Sequence, residues 1–427
     1  MVPASVDDSA DTRGNRLRCL WLTRLDPRSP DAGDLTYSFH LLTSLSRTGV
    51  RLTVLAVART AGRPRSTTED GVDWVLAPAA DHAEVRGRLA VRGLFTYLPN
   101  VTARFKTHAL ECELKVQLES EWDAIVVDHL GMGWAWPWLE AYRRRNPAVI
   151  AVFIAHQCEG HVRRGVAQSF RGNPLRKFGL HVDALKADRL EREIVRKSTL
   201  FTSITAEDRD HFGNLAKSVL LSPGYAGLRQ SSREITAKTP RRAIIFGSAL
   251  WLAKQMNLEE FIAIADELFW RQQIELWVVG KVPERFRVES HHSATRFLGF
   301  VDNPLPIFGS VRIGIVAERT GGGFKLKSLD YIFNRVPIAA LKNSIAGLPL
   351  TPELDYLSFG SFRELAQGIA AAIDDVDKLN MLQKAAYAKC TAAFDWSERG
   401  HLLHKAMQEA VRRQCATTAS ILPRDLG

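Results

Sequence analysis

A glycine-rich turn in the C-terminal half of the chain carries residue types suited to binding an anion. It follows a predicted strand that ends near Val316 and precedes a predicted helix. Its members are three glycines, an aromatic residue and two lysines: Gly321, Gly322, Gly323, Phe324, Lys325 and Lys327. Glycines let the backbone approach a ligand closely, and the first N–H groups of a helix are unpaired and carry partial positive charge. The turn is therefore predicted to bind a diphosphate; a flexible turn with solvated lysines is the alternative interpretation.

Two carboxylates flank this turn. Glu318 follows the predicted strand, and Asp330 lies about one and a half helical turns after Lys325. A carboxylate at that place can accept hydrogen bonds from ribose hydroxyls. A side chain at Gly322 is predicted to block nucleotide binding through its bulk and through disallowed backbone angles. The chain lacks a Gly-x4-Gly-Lys-Ser/Thr pattern, which excludes a Walker loop.

Two further glycine turns follow the first predicted strand of each half of the chain. Gly247 lies in one of them, with Lys254 after it, and Gly33 lies in the other. Each turn can contact phosphate or simply reverse the chain, and the sequence leaves both interpretations open. Parallel sheets bind ligands beyond the carboxyl ends of their strands. If these turns bind phosphate, we therefore expect both of them to face the same cleft.

A histidine at the end of a buried strand is the main candidate for proton chemistry. His156 directly follows the apolar segment 149–155, and α/β enzymes place reactive groups at such strand ends. Neutral imidazole can take a proton or donate a hydrogen bond near neutral pH; a structural histidine is the alternative. The residues of metal-ligand type that follow, Cys158, Glu159 and His161, match no closed zinc pattern in their spacing. We therefore predict no metal site.

Strands and helices alternate along the chain. The segment 17–23 is a predicted strand, apolar residues at helical spacing follow as far as Gly49, and 51–58 is a second strand. Such β-α-β units build parallel sheets. Further short apolar strands are predicted at 124–127, 149–155, 200–204, 218–221, 243–246, 274–279, 295–298, 311–316 and 337–341. Helices are predicted at 258–270, 326–333, 362–374, 376–394 and 398–416.

This alternation divides the chain into two α/β halves. Residues 223–240 are rich in Gly, Ser, Pro and charge, and the strand–helix pattern restarts after them. We predict an α/β fold with two Rossmann-like, doubly wound domains facing a cleft that holds the active site. The predicted divisions are a disordered leader, an N-terminal domain, a linker, a C-terminal domain and a terminal helical segment: 1–16, 17–222, 223–242, 243–395 and 396–427.

The composition is that of an ordinary globular protein. The chain has 427 residues, 46% hydrophobic and 24% charged, which excludes long disorder, collagen and coiled coil. Its five cysteines are scattered without paired spacing, so no disulfide framework is predicted and a reducing cytosol is the expected compartment. No apolar run approaches the roughly 18–20 residues of a membrane span. The protein is predicted to be cytoplasmic, or peripheral at the inner face of the membrane.

The net charge of +10 fits a phosphate-bearing ligand, an anionic membrane surface or nucleic acid. Two basic segments with aromatic residues, 85–106 and 161–177, suit an anionic lipid surface or a solvated helix face. The sequence leaves these two interpretations open. No nucleic-acid module is present, so we predict no nucleic-acid partner.

Together these features resemble glycosyltransferase family 4, whose members have the GT-B fold, over nearly the whole chain after residue 16. The turn at 154–159 is similar to the family's "HN-x-E" turn in its polysaccharide-making branch. The other matching segments are Gly33-Asp-Leu-Thr-Tyr-Ser38, Asp188-Arg-Leu-Glu-Arg-Glu193, Ser203-Ile-Thr-Ala-Glu-Asp208, Phe297-Leu-Gly-Phe-Val-Asp302, Gly322-Gly-Phe-Lys-Leu-Lys-Ser-Leu-Asp-Tyr331, Val336-Pro337 and Phe394-Asp-Trp396.

The resemblance implies a retaining transfer of a sugar from a nucleotide-diphosphate donor, and we predict a UDP- or GDP-linked one. No divalent metal is predicted, because the sequence has no well-placed pair of aspartates beside a strand end, and the backbone N–H groups and two lysines of the glycine turn can meet the charge of the diphosphate. The C-terminal domain would hold the nucleotide and the N-terminal domain a sugar or lipid-linked acceptor, in polysaccharide or glycoconjugate biosynthesis. The last helix would cross back onto the N-terminal domain. His156 and Glu318 are the candidate catalytic residues.

The sequence departs from the family pattern at two places. Of the family's two spaced glutamates, the second is replaced by Asp330, the first position is occupied by Gly322, and Glu318 lies four residues earlier. The basic pair expected after the first strand of the second domain is reduced to Lys254. These departures keep open a second interpretation, an inactive homologue that acts as a scaffold.

A nicotinamide-dependent oxidoreductase is the alternative from another class of enzyme. It requires Gly-x-Gly-x-x-Gly after the first strand, with an acidic residue about 20 residues further on. Gly33 stands alone at that place. This alternative therefore lacks its defining motif.

Overall fold

The computed structural model describes residues 16–28, 33–59, 65–78, 96–288, 292–319 and 322–421. Nearly all of the predicted leader, residues 85–95 of the basic segment 85–106 and Gly321 lie outside these residues. The described chain forms two sheets, one of eight strands and one of six.

The first sheet has the strand order β3-β4-β2-β1-β5-β6-β7-β8. Its strands are β1 (Arg18–Leu25), β2 (Arg51–Val57), β3 (Ser66–Glu69), β4 (Val72–Ala77), β5 (Ala124–Asp128), β6 (Ile150–Ile154), β7 (Leu200–Ser203) and β8 (Ser218–Leu220). All neighbouring strands are parallel except β3, which pairs antiparallel with β4. The helices in this part are α1 (Gly33–Ser46), α2 (Asn100–Ala103), α3 (His108–Gln117), α4 (Trp136–Arg145), α5 (Glu159–Ser169), α6 (Pro174–Lys197) and α7 (Ala206–Phe212), with 3₁₀ turns at Leu130–Ala135 and Leu215–Lys217.

The second sheet has the order β11-β10-β9-β12-β13-β14, and all of its strands are parallel. They are β9 (Arg242–Phe246), β10 (Glu275–Val279), β11 (Thr295–Gly299), β12 (Ile313–Val316), β13 (Ile338–Leu341) and β14 (Leu357–Phe359). The helices here are α8 (Leu252–Arg271), α9 (Arg285–Val288), α10 (Leu305–Gly309), α11 (Leu326–Phe333), α12 (Phe362–Ala372) and α13 (Val376–Cys390), followed by α14 (Trp396–Ile421).

Both faces of each sheet are covered by apolar packing. Along β5, Ala124 and Val126 join one buried cluster, while Ile125 and Val127 join the other. This alternation arises because successive side chains of a strand point to opposite faces. The ends of the central strands are consequently the only places on them where polar side chains can gather.

The chain passes between the two sheets at two neighbouring places. It leaves the first sheet after Leu221 and returns at Phe394, where the two segments are joined because Tyr225 N donates to Phe394 O over 3.1 Å. α14 then packs on α1, where Ser44 Oγ bonds to the Trp396 carbonyl oxygen. Gly400 N donates to Ser44 Oγ over 3.2 Å, so the terminal helix belongs to the packing of the first sheet.

Several element boundaries differ from the sequence predictions. The helix predicted to start at residue 258 begins at Leu252, and the one predicted to end at 394 stops at Cys390. The strand predicted from 311 begins at Ile313, the residue that pairs with Ala243 of β9. The short polar strand β3 was not predicted, because its four residues are mostly exposed and have no apolar alternation. Among the described residues, no helix combines the length and apolar character that a membrane crossing requires.

Candidate functional site

The carboxyl ends of the two sheets face each other, and close approaches join them. A methyl group placed on Gly33 would lie 3.2 Å from the first residue of α11. One placed on Gly323 would lie 3.2 Å from the carbonyl oxygen of His156, which follows β6. One placed on Gly322 would come closer than 3.0 Å to Val162 of α5. Residues predicted separately from the sequence therefore meet in one cleft.

The glycine turn leads into α11 between β12 and the cleft. Gly323 has a φ of 68°, which favours glycine. A side chain at Gly322 would meet Val162 across the cleft. That the backbone angles of Gly322 are disallowed to other residues stays a prediction. Phe324 packs with its ring centroid 5.8 Å from that of Phe394, so it anchors the turn.

A buried carboxylate forms ion pairs with the two lysines predicted to bind phosphate. The Glu318 side chain is 6% exposed, and its Oε2 lies 3.3 Å from Lys325 Nζ. Its Oε1 pairs with Lys327 Nζ. Burial raises the pKa of Glu318, but Lys327, then Lys325 and Lys254, outweigh it and hold that pKa well below its usual range. The carboxylate is therefore ionised. Burial lowers the pKa of Lys327, an effect that Glu318 opposes, so the ion pair with Glu318 favours the charged form of this lysine.

A pocket beside this ion-pair group joins three of the predicted ligand residues. Gly247, Lys254, Glu318 and Lys327 all line it, together with Asn257. It measures about 430 Å³ with its solvent-open mouth included. The backbone bends sharply at its rim, since Gly247 has a φ of 115°. The sequence left the role of Gly247 open; the structure places it at the wall of a cationic pocket.

Asp330 does not line this pocket and lies against Tyr225 at the start of the linker. Burial raises the pKa of Asp330 to about 7, although the hydrogen bond with the Tyr225 hydroxyl opposes this shift. Tyr225 is itself fixed in place, because its ring stacks on Phe333 with centroids 4.6 Å apart. The ribose-binding role of Asp330 stays a prediction.

The raised pKa of Asp330 gives a testable dependence of stability on pH. Between the usual pKa of 3.8 and the raised value of about 7, the folded chain binds more protons at this group than the unfolded chain does. The contribution of Asp330 to the free energy of unfolding is therefore lost as pH rises through this window. Asp330→Asn mimics the neutral acid, so we expect this variant to gain stability relative to wild type between pH 5 and pH 8.

Urea denaturation of both proteins at the two pH values measures the difference. Asp302→Asn, at an exposed aspartate, is the control and should show no such trend. A difference between Asp330→Asn and wild type that is the same at pH 5 and pH 8 would contradict the expectation.

His156 forms a buried pair with a residue that sequence reasoning missed. Its Nε2 lies 2.7 Å from Oδ1 of Asp128, the last residue of β5. The ring lies edge-on to those of Tyr37 and His129, with centroids 5.1 and 5.2 Å away. His156 Nδ1 is buried and has no hydrogen-bond partner in the described structure. Polar residues directly after the apolar strand, Asp128 and His129, were the sequence signal for this pair.

The residues of metal-ligand type near His156 point in different directions. Glu159 pairs with His129 at 3.2 Å and with Arg163 at 2.9 Å. The Cys158 thiol bonds to a backbone carbonyl, and burial raises its pKa. The His161 ring lies 5.3 Å from that of another histidine. Within the described ranges, no group of three or more histidine, cysteine or acidic residues is arranged to hold a metal ion.

The basic segment 161–177 is not uniformly exposed. Arg163 bonds to Glu159 and also to Asp183 at 2.8 Å, so its charge is neutralised inside the protein. The expectation that this whole segment faces outward is wrong for that residue. The exposed apolar side chains lie at the far end of the segment and beyond it, at Leu175 and Phe178.

Solved structures supply the comparison, since no protein-family model and no curated protein sequence matches the chain. Sucrose-phosphate synthase from Thermosynechococcus elongatus is 15% identical, with a TM-score of 0.68 over 93% of this chain and 100% of that one. HepE from Anabaena, solved with UDP and glucose, is 12% identical, with a TM-score of 0.60 over 92% and 100%. WaaG, a glycosyltransferase of lipopolysaccharide biosynthesis, is 12% identical, with a TM-score of 0.56 over 92% and 99%.

The chain has the GT-B fold. These three structures cover 92–93% of the chain, so the predicted fold class, α/β with two Rossmann-like units, is confirmed. In a GT-B fold the two units face each other across a cleft, which is where the glycine turn meets His156. The TM-scores of 0.56–0.68 establish the fold, and at sequence identities of 12–15% the likeness is one of fold alone.

Proposed function

We propose that the protein is a glycosyltransferase that moves a sugar from a nucleotide-diphosphate donor to a sugar or lipid-linked acceptor. The observation that carries this is the cationic pocket of Gly247, Lys254 and Lys327 beside the start of α11, facing His156 across the cleft. A structure of the same fold, HepE, was solved with UDP-glucose. The proposed donor is therefore UDP- or GDP-linked.

The charge of the pocket suits the departing diphosphate. As the glycosidic bond breaks, the leaving group gains negative charge, and preorganised donors lower the barrier by meeting it. Lys254, Lys325 and Lys327 with the first N–H groups of α11 would supply this stabilisation without a divalent metal. Glu318 is placed to hold two of the lysines in position, since it contacts both.

We further propose the division of labour that the resemblance implies. The unit of residues 17–222 takes the acceptor, residues 223–242 link the units, residues 243–395 hold the donor, and 396–427 return to the first unit. Transfer proceeds with retention at the anomeric carbon, in cytoplasmic polysaccharide or glycoconjugate biosynthesis. NMR of the anomeric proton in the first product formed measures the stereochemistry.

A donor screen tests the proposed activity. Purified protein is incubated with UDP- and GDP-linked sugars and simple glycoside acceptors in excess EDTA, and nucleoside diphosphate release is measured. We expect one donor class to be consumed and the same donor to raise Tm. Activity that EDTA abolishes and magnesium or manganese restores would overturn the metal-free mechanism.

The second candidate, an inactive scaffold, is favoured by a single observation, the glycine at the position of the family's first glutamate, Gly322. The same screen separates the two candidates. A nucleotide sugar that raises Tm but is never consumed, with any acceptor, would support the scaffold and overturn the enzyme.

Peripheral contact with an anionic membrane surface is also proposed, at the start of α6. Leu175 and Phe178 are 82% and 67% exposed and lie on one helix face, next to the exposed Arg171 and Arg176. We expect Leu175→Ser/Phe178→Ser to lose most of the salt-sensitive sedimentation with anionic vesicles, while Met381→Ser keeps it. Met381 is also exposed but lies in the other unit. Equal sedimentation of all three proteins would contradict the proposal.

A further inference from the structure

We infer that Asp128 is a positioning residue for His156: it keeps the proton on Nε2, so that Nδ1 accepts a hydrogen bond from a carbohydrate hydroxyl in the cleft. The inference rests on the proposed function, because it needs a sugar in the cleft. It adds Asp128 to the residues of the proposed site and gives this carboxylate the task of fixing the tautomer of His156.

Asp128 is held as an ionised acceptor. Burial raises its pKa, but the charge of a protonated His156 and the hydrogen bonds from His156, then Ser38 and Trp21, bring that pKa below its usual value. Its Oδ2 accepts from Trp21 Nε1 over 3.1 Å, and its Oδ1 lies 2.7 Å from His156 Nε2. An ionised carboxylate cannot donate, so Nε2 must carry the hydrogen. In the neutral form of the ring, Nδ1 is then left with a lone pair.

In the part of the chain that the structure describes, the groups beside His156 leave that lone pair unsatisfied. The Tyr37 ring packs against His156, but its hydroxyl donates to the Leu221 carbonyl over 2.8 Å. The nearby His129 has both ring nitrogens engaged, Nε2 with Glu159 and Nδ1 with the Gly131 backbone N–H at 2.9 Å. Among the described residues Nδ1 has no partner, although His156 is only 8% exposed. A buried acceptor without a donor indicates a ligand that supplies one.

The place of His156 identifies the ligand chemistry. Its carbonyl oxygen adjoins the site of Gly323, the residue that leads into the proposed diphosphate-binding helix. A sugar attached to that diphosphate, or the acceptor that attacks it, therefore has to pass this residue. Both are polyols, and both present the hydroxyl donors that Nδ1 lacks. The hydroxyl comes either from the transferred sugar or from the acceptor.

Asp128→Asn tests the inference, because the side chain keeps its shape while the atom beside His156 Nε2 changes from a hydrogen-bond acceptor to a donor. Trp21 Nε1 faces one side-chain atom, so the amide oxygen stays there and the amide NH₂ replaces the oxygen beside Nε2. Nε2 must then accept, and the ring proton moves to Nδ1. We expect transfer to fall roughly 10–100-fold, since an acceptor for a hydroxyl has become a donor. Affinity for UDP alone should not change.

The tautomer is measured directly by ¹H–¹⁵N NMR of ¹⁵N-histidine-labelled protein, with His156→Gln used to assign the signals. We expect the Nε2–H form in wild type and the Nδ1–H form in Asp128→Asn, a difference that a merely structural role would not produce. Asp123→Asn, at an exposed aspartate before β5, is the matched control and should keep both tautomer and rate. Wild type in the Nδ1–H form, or an unchanged rate in a folded Asp128→Asn protein, would overturn the inference.

Two further measurements identify the source of the hydroxyl and test the pairing of Asp128 with His156. Slower donor hydrolysis without acceptor in Asp128→Asn assigns the hydroxyl to the transferred sugar; unchanged hydrolysis with slower transfer assigns it to the acceptor. Asp128→Asn/His156→Gln should lose no more activity than His156→Gln alone, and a fully additive loss would contradict the pairing. If wild type consumes no donor, the proposed function fails, while the tautomers still report on the pair itself.

Discussion

Lys325→Ala is expected to lower kcat/KM for the nucleotide sugar by a factor on the order of 10²–10³, the usual effect of removing one preorganised donor from such a site. The side chain lies in the turn before α11 and bonds to Glu318 and to the Gly322 carbonyl oxygen. Its loss removes a positive charge from the ion-pair group beside the pocket but little packing. We expect the same range for Lys327→Ala, whose side chain lines the pocket wall.

Steady-state kinetics with varied donor measures this effect. Lys384→Ala removes a lysine from the exposed surface of the same unit and should leave kcat/KM unchanged. Calorimetric titration with UDP shows whether the loss lies in binding or in the chemical step. A Lys325→Ala enzyme with wild-type kinetics would remove the phosphate-binding role assigned to this residue.

Gly322→Ala should cost about 100-fold in transfer, although the change adds a single methyl group. That methyl group would come closer than 3.0 Å to Val162 Cγ2 on the opposite side of the cleft. Relief requires the two units to separate on the order of 1 Å, and a displacement of that size at a reacting centre can cost about 10² in rate. The expected effect comes from the close approach of the two units at this residue.

The partner residue offers a direct check on this mechanism. Val162→Ala removes the methyl group that obstructs, so the double variant Gly322→Ala/Val162→Ala should recover most of the lost rate. Gly309→Ala is the matched control, because an added methyl group there meets nothing within 4 Å. Rates of the single and double variants are compared at saturating donor. An impaired double variant with no recovery would show that steric contact with Val162 is not the cause.

Most of the fold could be predicted from the sequence. Buried parallel strands such as β5 and β6 are short apolar runs, and the helix Leu326–Phe333 was predicted with the bounds that the structure shows. These signals are local, because side-chain periodicity and strand ends depend on neighbouring residues. The prediction missed β3, β4 and β14. β3 and β14 are short and partly polar, so periodicity could not mark them. β4, by contrast, is apolar apart from Asp73, so its signal was present in the sequence and was overlooked.

The glycine turn and its lysines were likewise visible in the sequence, since they are consecutive residues. Their charge balance was not. The sequence makes Glu318 a candidate catalytic residue, and only the folded chain shows that it lies between Lys325 and Lys327. The chain bends between β12 and α11, and this bend brings the carboxylate of Glu318 into contact with both lysines.

The contacts that the sequence could not show are those between distant parts of the chain. Asp128 and His156 are separated by 28 residues and meet because β5 and β6 are neighbouring parallel strands that end at the same edge. Gly322 and Val162 meet because the two units face each other. The sequence by itself determined which strands, helices and polar residues exist, since those depend on local periodicity. The tertiary structure alone decided which polar groups pair, since pairing at 2.7 Å requires strand order and unit packing that no local pattern encodes.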